Sequence, residues 1–287
     1  MIGIERIMDQ IATRLGRDPV EIRKVNYYSD YAASKFQCTP YGQIVKDGIL
    51  NTLTDQLMVS ANYSNRRKEI DLYNKSSPIK RRGLGFMPVK FGISFNRTML
   101  NQAGALVHVY TDGSVHLNHG GTEMGQGLHT KVIQIVADVF GLDASRVRIS
   151  NTTTGKVPNT SATAASSGTD LNGMAALRAA ETIKLRMADY LAKIYQSRAN
   201  DIDCSSGSVM LPSGQSLSFS EAANQCHMGR ISLSSTGFYS TPEIHWDDNS
   251  LAGSPYYYFA YGVALSEVIV DTLTGESRVL RADILHD

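Results

Sequence analysis

The chain has 287 residues, of which 42% are hydrophobic, and its formal net charge is +1. This length can bury a large core and lies near the size at which one core gives way to two. The near-neutral charge argues against a nucleic-acid-binding surface, and no apolar run is long enough to span a bilayer. The cysteines, Cys38, Cys204 and Cys226, form no CxxC pair. This argues against an iron–sulfur or zinc cassette within the sequence and favours a reducing cytoplasm.

Residues 1–80 are predicted to form a helical segment. Apolar residues recur on one helical face up to Gly16, namely Ile4, Ile7, Met8, Ile11 and Leu15. Asp18 and Pro19 are predicted to begin a second helix, and Gln43–Asn74 has helical periodicity. Because no capping residue precedes the first helix, we expect the segment to continue from an upstream part of the protein.

Residues 81–287 are predicted to form an α+β region in which mixed sheets are covered by long helices. Alternating apolar residues predict strands at 82–95, 105–109, 115–117, 147–152, 256–270 and 276–284, and a hairpin at 208–217. Helices are predicted at 132–140, 171–195 and 218–228, with Asp170 as the cap of the second. Residues 240–254 are polar and are predicted to be irregular. The region ends in a strand, so we expect it to be truncated at its C-terminal end.

A loop with four glycines joins a predicted strand to a predicted helix at GGTEMGQGLHTK, residues 120–131. Glycine permits positive φ and close backbone approach, and a helix start leaves N–H groups free to bind anionic or carbonyl oxygens. The loop is therefore a candidate site for a phosphate or a polar cofactor. The alternative that it only packs, without a ligand, stays open on this motif alone.

A second strand-loop-helix unit contains VPNTSATAASSGTDLNG, residues 157–173. Together, at this spacing, the two motifs resemble the molybdenum-binding subunit of xanthine dehydrogenases, within the wider xanthine oxidase and aldehyde oxidase family. Residues 90–95, 100–106 and 262–267 extend the resemblance to essentially the whole chain. It implies the α+β fold of a molybdopterin-binding domain.

The resemblance also implies roles for individual residues. Met124, Gly125 and Gln126 would contact the pterin cofactor, as would Ala164, Ala165 and Ser166, while the two alanines would also leave room for substrate. Phe95 occupies the position of an aromatic residue that packs against a flat purine ring. From the residues alone, Phe95 would be assigned to the core, and Gln126 could instead bind its own loop backbone.

Catalytic residues are not expected within these 287 residues. The family's activating carboxylate lies in a Gly-Glu-Pro segment, which this sequence lacks. Glu123 could serve as an acid or base, and a metal site formed by His119, His129 and Glu123 is conceivable, but the HExxH spacing is missing. No direct metal ligand is therefore predicted.

In the complete enzyme, the resemblance implies oxidation of hypoxanthine and xanthine to urate, with a molybdenum-pyranopterin cofactor here and FAD and 2Fe–2S clusters on other domains or subunits. We expect no bound cofactor in this chain alone, no nucleic-acid or membrane partner, a cytoplasmic location and an oligomer. Two alternatives stay open: a non-catalytic module, and an aldehyde or heterocycle hydroxylase of the same family.

Overall fold

The computed structural model describes residues 1–29, 37–157 and 159–287. The helices described are α1 Ile2–Leu15, α2 Pro19–Lys24, α3 Leu50–Ser60, α4 Tyr63–Ser76, α5 Leu128–Val139, α6 Gly168–Ile194 and α7 Phe219–Met228. The strands described are β1 Lys80–Ile93, β2 Gln102–Val109, β3 Val115–His119, β4 Val147–Ile149, β5 Asp203–Ser205, β6 Ser208–Met210, β7 Ser216–Ser218, β8 Ser234–Ser240, β9 His245–Asp247, β10 Ala252–Ser254, β11 Tyr258–Asp271 and β12 Ser277–His286. Helices and mixed sheets confirm the predicted α+β class.

The chain divides into two compact units, of which unit 1 comprises residues 1–93 and 246–287 and unit 2 comprises residues 94–245. The division does not follow a boundary at residue 80, because β1 pairs with β11 along its whole length. Strand pairing between distant parts of the sequence therefore places the predicted helical segment and both ends of the chain in one unit.

Unit 1 contains an antiparallel sheet with the strand order β1-β11-β12. Its core includes Phe86, Tyr261 and Leu265 from the sheet, packed in one cluster with Leu53 and Leu57 of α3. Burial of these apolar side chains holds the helix on the sheet. The register from Lys80 to Ile93 is continuous, and a Cβ on Gly92 would lie 2.4 Å from the Tyr256 ring, so Gly92 marks a close approach.

The prediction of one helix over Gln43–Asn74 is wrong in two places. Residues 43–49 are not helical, because Val45 N–H donates to the Gln37 carbonyl at 2.7 Å instead of to a residue one turn earlier. The remainder is divided into α3 and α4 at Asn62, whose φ of 54° lies in the left-handed region. The predicted cap of α2 is confirmed, since the Asp18 carboxylate accepts a 2.8 Å hydrogen bond from Val20 N–H.

Unit 2 is built on a four-stranded mixed sheet with the order β4-β3-β2-β8, in which β3 and β4 are parallel. The strands predicted at 105–109 and 115–117 pair as the antiparallel hairpin β2–β3, whose turn contains Gly113 at a φ of 77°. The hairpin predicted at 208–217 is confirmed by the antiparallel pairing of β6 with β7. The inward side chains of β2 and β3, including Val107 and Leu117, join α5 and α6 in one buried cluster. A parallel connection through α5 brings the loop after β3 and the loop after β4 to one end of the sheet.

Three further features differ from the prediction. Helix α6 begins at Gly168 after Ser167, so Asp170 lies in its first turn and is not its cap. Strand β8 was not predicted, because it has little alternating apolar pattern. A Cβ on its Gly237 would lie 2.0 Å from the Ala175 carbonyl oxygen, so glycine allows α6 to pack directly on this strand. The predicted irregular segment 240–254 also contains the short pair β9 and β10.

None of the described helices is both long enough and apolar enough to cross a bilayer.

Candidate functional site

Loop 1, defined as residues 120–127, connects the end of β3 to the start of α5. Gly125 and Gly127 have φ values of 98° and 74°, which side-chain-bearing residues rarely adopt. A Cβ on Gly125 would meet no atom within 4 Å. Glycine is therefore required at this position by the positive φ, not by crowding, and it leaves the peptide open to close approach by a ligand.

Glu123 caps α5 from within loop 1. Its Oε1 accepts hydrogen bonds from Gly125 N–H at 2.9 Å and Gly127 N–H at 3.0 Å, and its Oε2 accepts one from His129 N–H at 3.0 Å. The hydrogen bond from His129, with those from the two glycines, lowers the pKa of Glu123. A carboxylate with a lowered pKa is poorly matched to proton transfer near neutral pH. Some of the N–H groups at the start of α5, which were expected to be free for a ligand, therefore bind Glu123 instead.

Gln126 also binds its own loop. Its Oε1 accepts from Met124 N–H at 2.6 Å, and its Nε2 donates to the Thr122 carbonyl at 3.0 Å. These two contacts correspond to the alternative stated from the residues alone, in which Gln126 binds its own loop backbone. A primary amide has two lone pairs and two N–H groups, so these two bonds leave one acceptor and one donor position for a ligand.

His119 and His129 lie at the two ends of loop 1, with ring centroids 5.3 Å apart and nearly perpendicular planes. His119 is buried, and its Nδ1 accepts from Gly121 N–H at 3.0 Å. Burial and the neighbouring His129 lower the pKa of His119 to about 4, so it is neutral at pH 7. Because Glu123 faces the backbone instead, no group of three or more potential metal ligands occurs among the residues that the structure describes.

Loop 2, defined as residues 150–167, connects β4 to α6; Pro158 lies outside the described residues. The Thr163 Oγ1 accepts from Thr122 N–H at 2.8 Å, and the Thr152 hydroxyl donates to the Gly121 carbonyl at 2.9 Å. A Cβ on Gly120 would lie 2.1 Å from the Thr160 Cγ2. Loops 1 and 2 are therefore joined by hydrogen bonds and packed too closely for a side chain at Gly120.

Ala165 and Ser166 are strained in loop 2, with φ values of 54° and 56°. Non-glycine residues in this region cost about 1–3 kcal/mol each and tend to cluster at functional sites. The Ala165 carbonyl accepts a 3.4 Å hydrogen bond from Ser94 N–H. Backbone strain at these two residues is the kind found at functional sites, which supports a binding role for loop 2.

One open cavity of about 450 Å³ lies between the two loops. Its lining includes five of the six predicted cofactor residues, namely Met124, Gln126, Ala164, Ala165 and Ser166. Gly125 does not line it but belongs to the same loop. The cavity also includes Lys131 and Thr169, which were not predicted as site residues although Lys131 stands in the quoted motif. A basic residue in the first turn after a glycine-rich loop is the signal that could have identified it.

Phe95 is not brought into this cavity. It is half-buried, and its backbone N–H and carbonyl bind the Asn101 side chain at 2.7 and 2.8 Å. Its neighbour in sequence, Ser94, donates a hydrogen bond to the carbonyl of Ala165, which lines the cavity. Its predicted substrate role stays a prediction.

Comparison with solved structures identifies the fold. The chain matches quinoline 2-oxidoreductase from Pseudomonas putida 86 with a TM-score of 0.79 and 21% identity, over 99% of this chain and 36% of that one. It matches the aldehyde oxidoreductase from Desulfovibrio desulfuricans with a TM-score of 0.74 and 22% identity, over 99% and 27%. At these identities the likeness shows a shared fold.

Sequence comparison gives nearer relatives. The chain is 42% identical to "Xanthine dehydrogenase" of Dictyostelium discoideum and 43% identical to "Xanthine dehydrogenase/oxidase" of Gallus gallus, over 100% of this chain. It spans only 20% and 19% of their lengths. A model of the molybdopterin cofactor-binding domain matches residues 56–287, including both loops and the cavity between them. The chain therefore belongs to the molybdopterin cofactor-binding domain family.

Proposed function

We propose that this chain supplies part of the molybdenum-pyranopterin site of a molybdenum hydroxylase. The observation that carries the proposal is that loops 1 and 2 line a single cavity. Their connection by the Thr122–Thr163 hydrogen bond means that the loops can act as one binding surface. The family to which residues 56–287 belong supports the same cofactor.

The residues that line the cavity fit the cofactor's chemistry. A pterin presents a flat ring with donors and acceptors at its edge, and its side chain ends in a phosphate. The cavity offers the Gln126 amide, the hydroxyls of Thr163, Ser166 and Thr169, and the Lys131 ammonium group. Lys131 forms no ion pair with any described residue, so its charge is available to an anionic group.

The cofactor would be held by Met124, Gly125, Gln126, Ala164, Ala165 and Ser166, and when bound it would supply the oxidation–reduction chemistry. The protein's own contribution is binding and exclusion of volume. Gln126 would use its remaining donor and acceptor toward the ligand, while the methyl groups of Ala164 and Ala165 would leave space for a substrate. Glu123 would keep loop 1 closed on α5 and would not act as a base.

For the complete protein we propose oxidation of hypoxanthine and xanthine to urate, on the strength of the relatives' names. FAD and 2Fe–2S clusters would be carried by other domains or subunits. We further propose a cytoplasmic location, which the three unpaired cysteines favour, and an oligomeric state. The exposed isoleucines of α1, among them Ile2, Ile4 and Ile7, support association with another protein surface.

The test uses the product of the complete coding sequence. Metal analysis and dye reduction are measured with xanthine, hypoxanthine and a panel of aldehydes and N-heterocycles. The proposal predicts about one molybdenum per chain and the fastest turnover with the two purines. Turnover only with aldehydes would replace the purine substrate by the family alternative, while absence of molybdenum and of all turnover would favour a non-catalytic module.

A further inference from the structure

A second cavity, of about 520 Å³, lies in unit 2 and shares no lining residue with the cavity between loops 1 and 2. Its polar lining includes Tyr110, Asp112, Ser114, His116, Ser145, Arg146 and Arg148. In β3 and β4, His116 and Arg148 each follow a buried valine, so they face away from the core. This side of the sheet carries functional groups that the proposed cofactor site does not use.

Three side chains with N–H groups stand in one row across three strands. His108 of β2 is paired in register with His116 of β3, which is paired with Arg148 of β4. The two imidazole rings are stacked, with centroids 6.2 Å apart and an interplanar angle of 12°. Adjacent strands are about 4.8 Å apart, so the row presents donors at regular spacing.

Arg146 is held in place at one side of this row. Its Nη2 donates to the Asp112 carbonyl at 2.7 Å. The turn approaches it closely, because a Cβ on Gly113 would lie 3.1 Å from this nitrogen. A guanidinium group has five N–H donors, so the remaining ones can bind another acceptor.

The cavity lining carries the positive charges of Arg146 and Arg148 and the opposing charge of the Asp112 carboxylate. Neither arginine forms a salt bridge with a residue in the described ranges, and the Arg148 side chain has no hydrogen-bond partner there. The Asp112 carboxylate is engaged by Ser114, whose N–H and hydroxyl donate to its Oδ1 at 2.8 and 2.6 Å. Burial, and to a lesser extent His108 and Lys156, lowers the pKa of His116.

We propose that this cavity binds the phosphate group of a phosphomonoester whose other part is an aromatic or heterocyclic ring. Two guanidinium groups, an imidazole and the Ser145 hydroxyl provide the charge-assisted donors that a phosphate dianion requires. The exposed ring of Tyr110, whose centroid lies 6.4 Å from that of His108, provides a face for the planar part of the ligand.

The test is calorimetric titration of the 287-residue chain with inorganic phosphate, adenosine 5′-monophosphate and adenosine at constant ionic strength. We expect the nucleotide to bind more tightly than phosphate and adenosine to show no binding. Arg148→Gln should weaken nucleotide binding by roughly tenfold or more, since it removes a charged donor. The matched control is Arg278→Gln, which removes an exposed arginine in unit 1 and should leave binding unchanged.

The location is tested independently by nuclear magnetic resonance on the unsubstituted chain, which needs no variant to fold. Nucleotide should shift the ring resonances of His108 and His116 in a saturable manner. Absence of nucleotide binding at millimolar concentration, equal binding of adenosine, unchanged binding by Arg148→Gln, or unshifted His108 and His116 rings would each overturn the proposal.

Discussion

The Glu123 carboxylate accepts a 3.0 Å hydrogen bond from the backbone N–H of His129, and so supplies the negative charge at the start of α5 from within loop 1. Carboxylates are favourable at this end of a helix because its N–H groups are unpaired and its dipole is positive. The glycine-rich loop is therefore closed by its own acidic residue. Ligand binding at loop 1 must use other groups, namely the outward edge of the Gln126 amide and the adjacent side chains.

Replacement of Glu123 should loosen loop 1. Glu123→Ala removes three hydrogen bonds to Gly125, Gly127 and His129, so amide exchange at these positions should rise several-fold while the core strands β2 and β3 keep their protection. Hydrogen exchange followed by nuclear magnetic resonance measures this. Glu69→Ala, at an exposed position of α4, is the matched control. Equal exchange in both variants would contradict the capping role.

The same cap should depend on pH in a defined direction. Hydrogen bonds from the backbone, that from His129 foremost, lower the pKa of Glu123 below its ordinary value of 4.5. A lowered pKa in the folded state means that the contribution is fully present above 4.5 and is lost as pH falls through the lowered value. The amide proton shifts of Gly125 and Gly127, which both donate to this carboxylate, should therefore report its titration with a midpoint below 4.5. A midpoint above 4.5 would contradict this geometry.

In unit 1, Arg66 is expected to contribute strongly to stability. Its side chain is 8% exposed and lies 2.7 Å from the Asp283 carboxylate and 3.0 Å from that of Glu267. Arg66→Ala leaves two largely buried carboxylates without this partner, and breaking such a pair costs about 3–5 kcal/mol. Denaturant unfolding should show a correspondingly lower midpoint, whereas Lys68→Ala, at an exposed position of the same helix, should change it little. A loss under about 1 kcal/mol for Arg66→Ala would mean that solvent screens these charges.

The 287-residue chain alone should retain far less than one molybdenum and show no xanthine-dependent dye reduction. Its cavity is open, it spans 20% of the Dictyostelium relative, and it contains no Gly-Glu-Pro segment. Elemental analysis and a dye assay on the purified chain measure both properties. Stoichiometric molybdenum would show that loops 1 and 2 suffice to hold the cofactor, and turnover would show that an essential base lies within these residues.

Local signals in the sequence predicted much of unit 2. Alternating apolar residues identified the strands on both sides of Gly113, and helical spacing identified the helix that ends before Gly141; both glycines adopt a positive φ at these boundaries. Strand β8 was missed because its place depends on contact between Gly237 and α6 and not on an apolar pattern. The helix predicted over residues 43–49 does not form, because Val45 N–H binds the Gln37 carbonyl instead. The spacing of apolar residues carries no information about such a contact.

The two sequence motifs predicted which residues belong to the candidate site but not which hydrogen bonds those residues form. Five of the six proposed cofactor residues do line one cavity, but the sequence could not show that Glu123 and Gln126 bind loop 1 itself. Those bonds depend on the positive φ values of Gly125 and Gly127, which place the peptide N–H groups within reach of the carboxylate. Lys131 was not assigned to the site, although its place in the first helical turn after a glycine-rich loop could have identified it.

In the complete protein, Gln126 and Ala165 should fail in different ways when replaced. Gln126→Ala removes two loop hydrogen bonds as well as the proposed contact with the pterin, and each bond of this kind contributes about 0.5–1.5 kcal/mol. Cofactor occupancy at limiting supply should therefore fall by about two- to tenfold for each bond lost. Gln215→Ala, at an exposed position of the β6–β7 turn, should retain full molybdenum.

Ala165→Leu should instead retain most of the molybdenum and lose activity. Ala165 lines the cavity, so the principal change is added volume at the proposed substrate position. Displacing a substrate by about 1 Å can cost on the order of a hundredfold in rate, so turnover per molybdenum should fall at least tenfold. Ala162→Leu adds the same volume at an exposed position of loop 2 that does not line the cavity, and should leave turnover per molybdenum unchanged. The quantity that decides is activity divided by metal content. If Ala165→Leu oxidises xanthine at the normal rate per molybdenum, Ala165 does not border the substrate and its proposed role is incorrect.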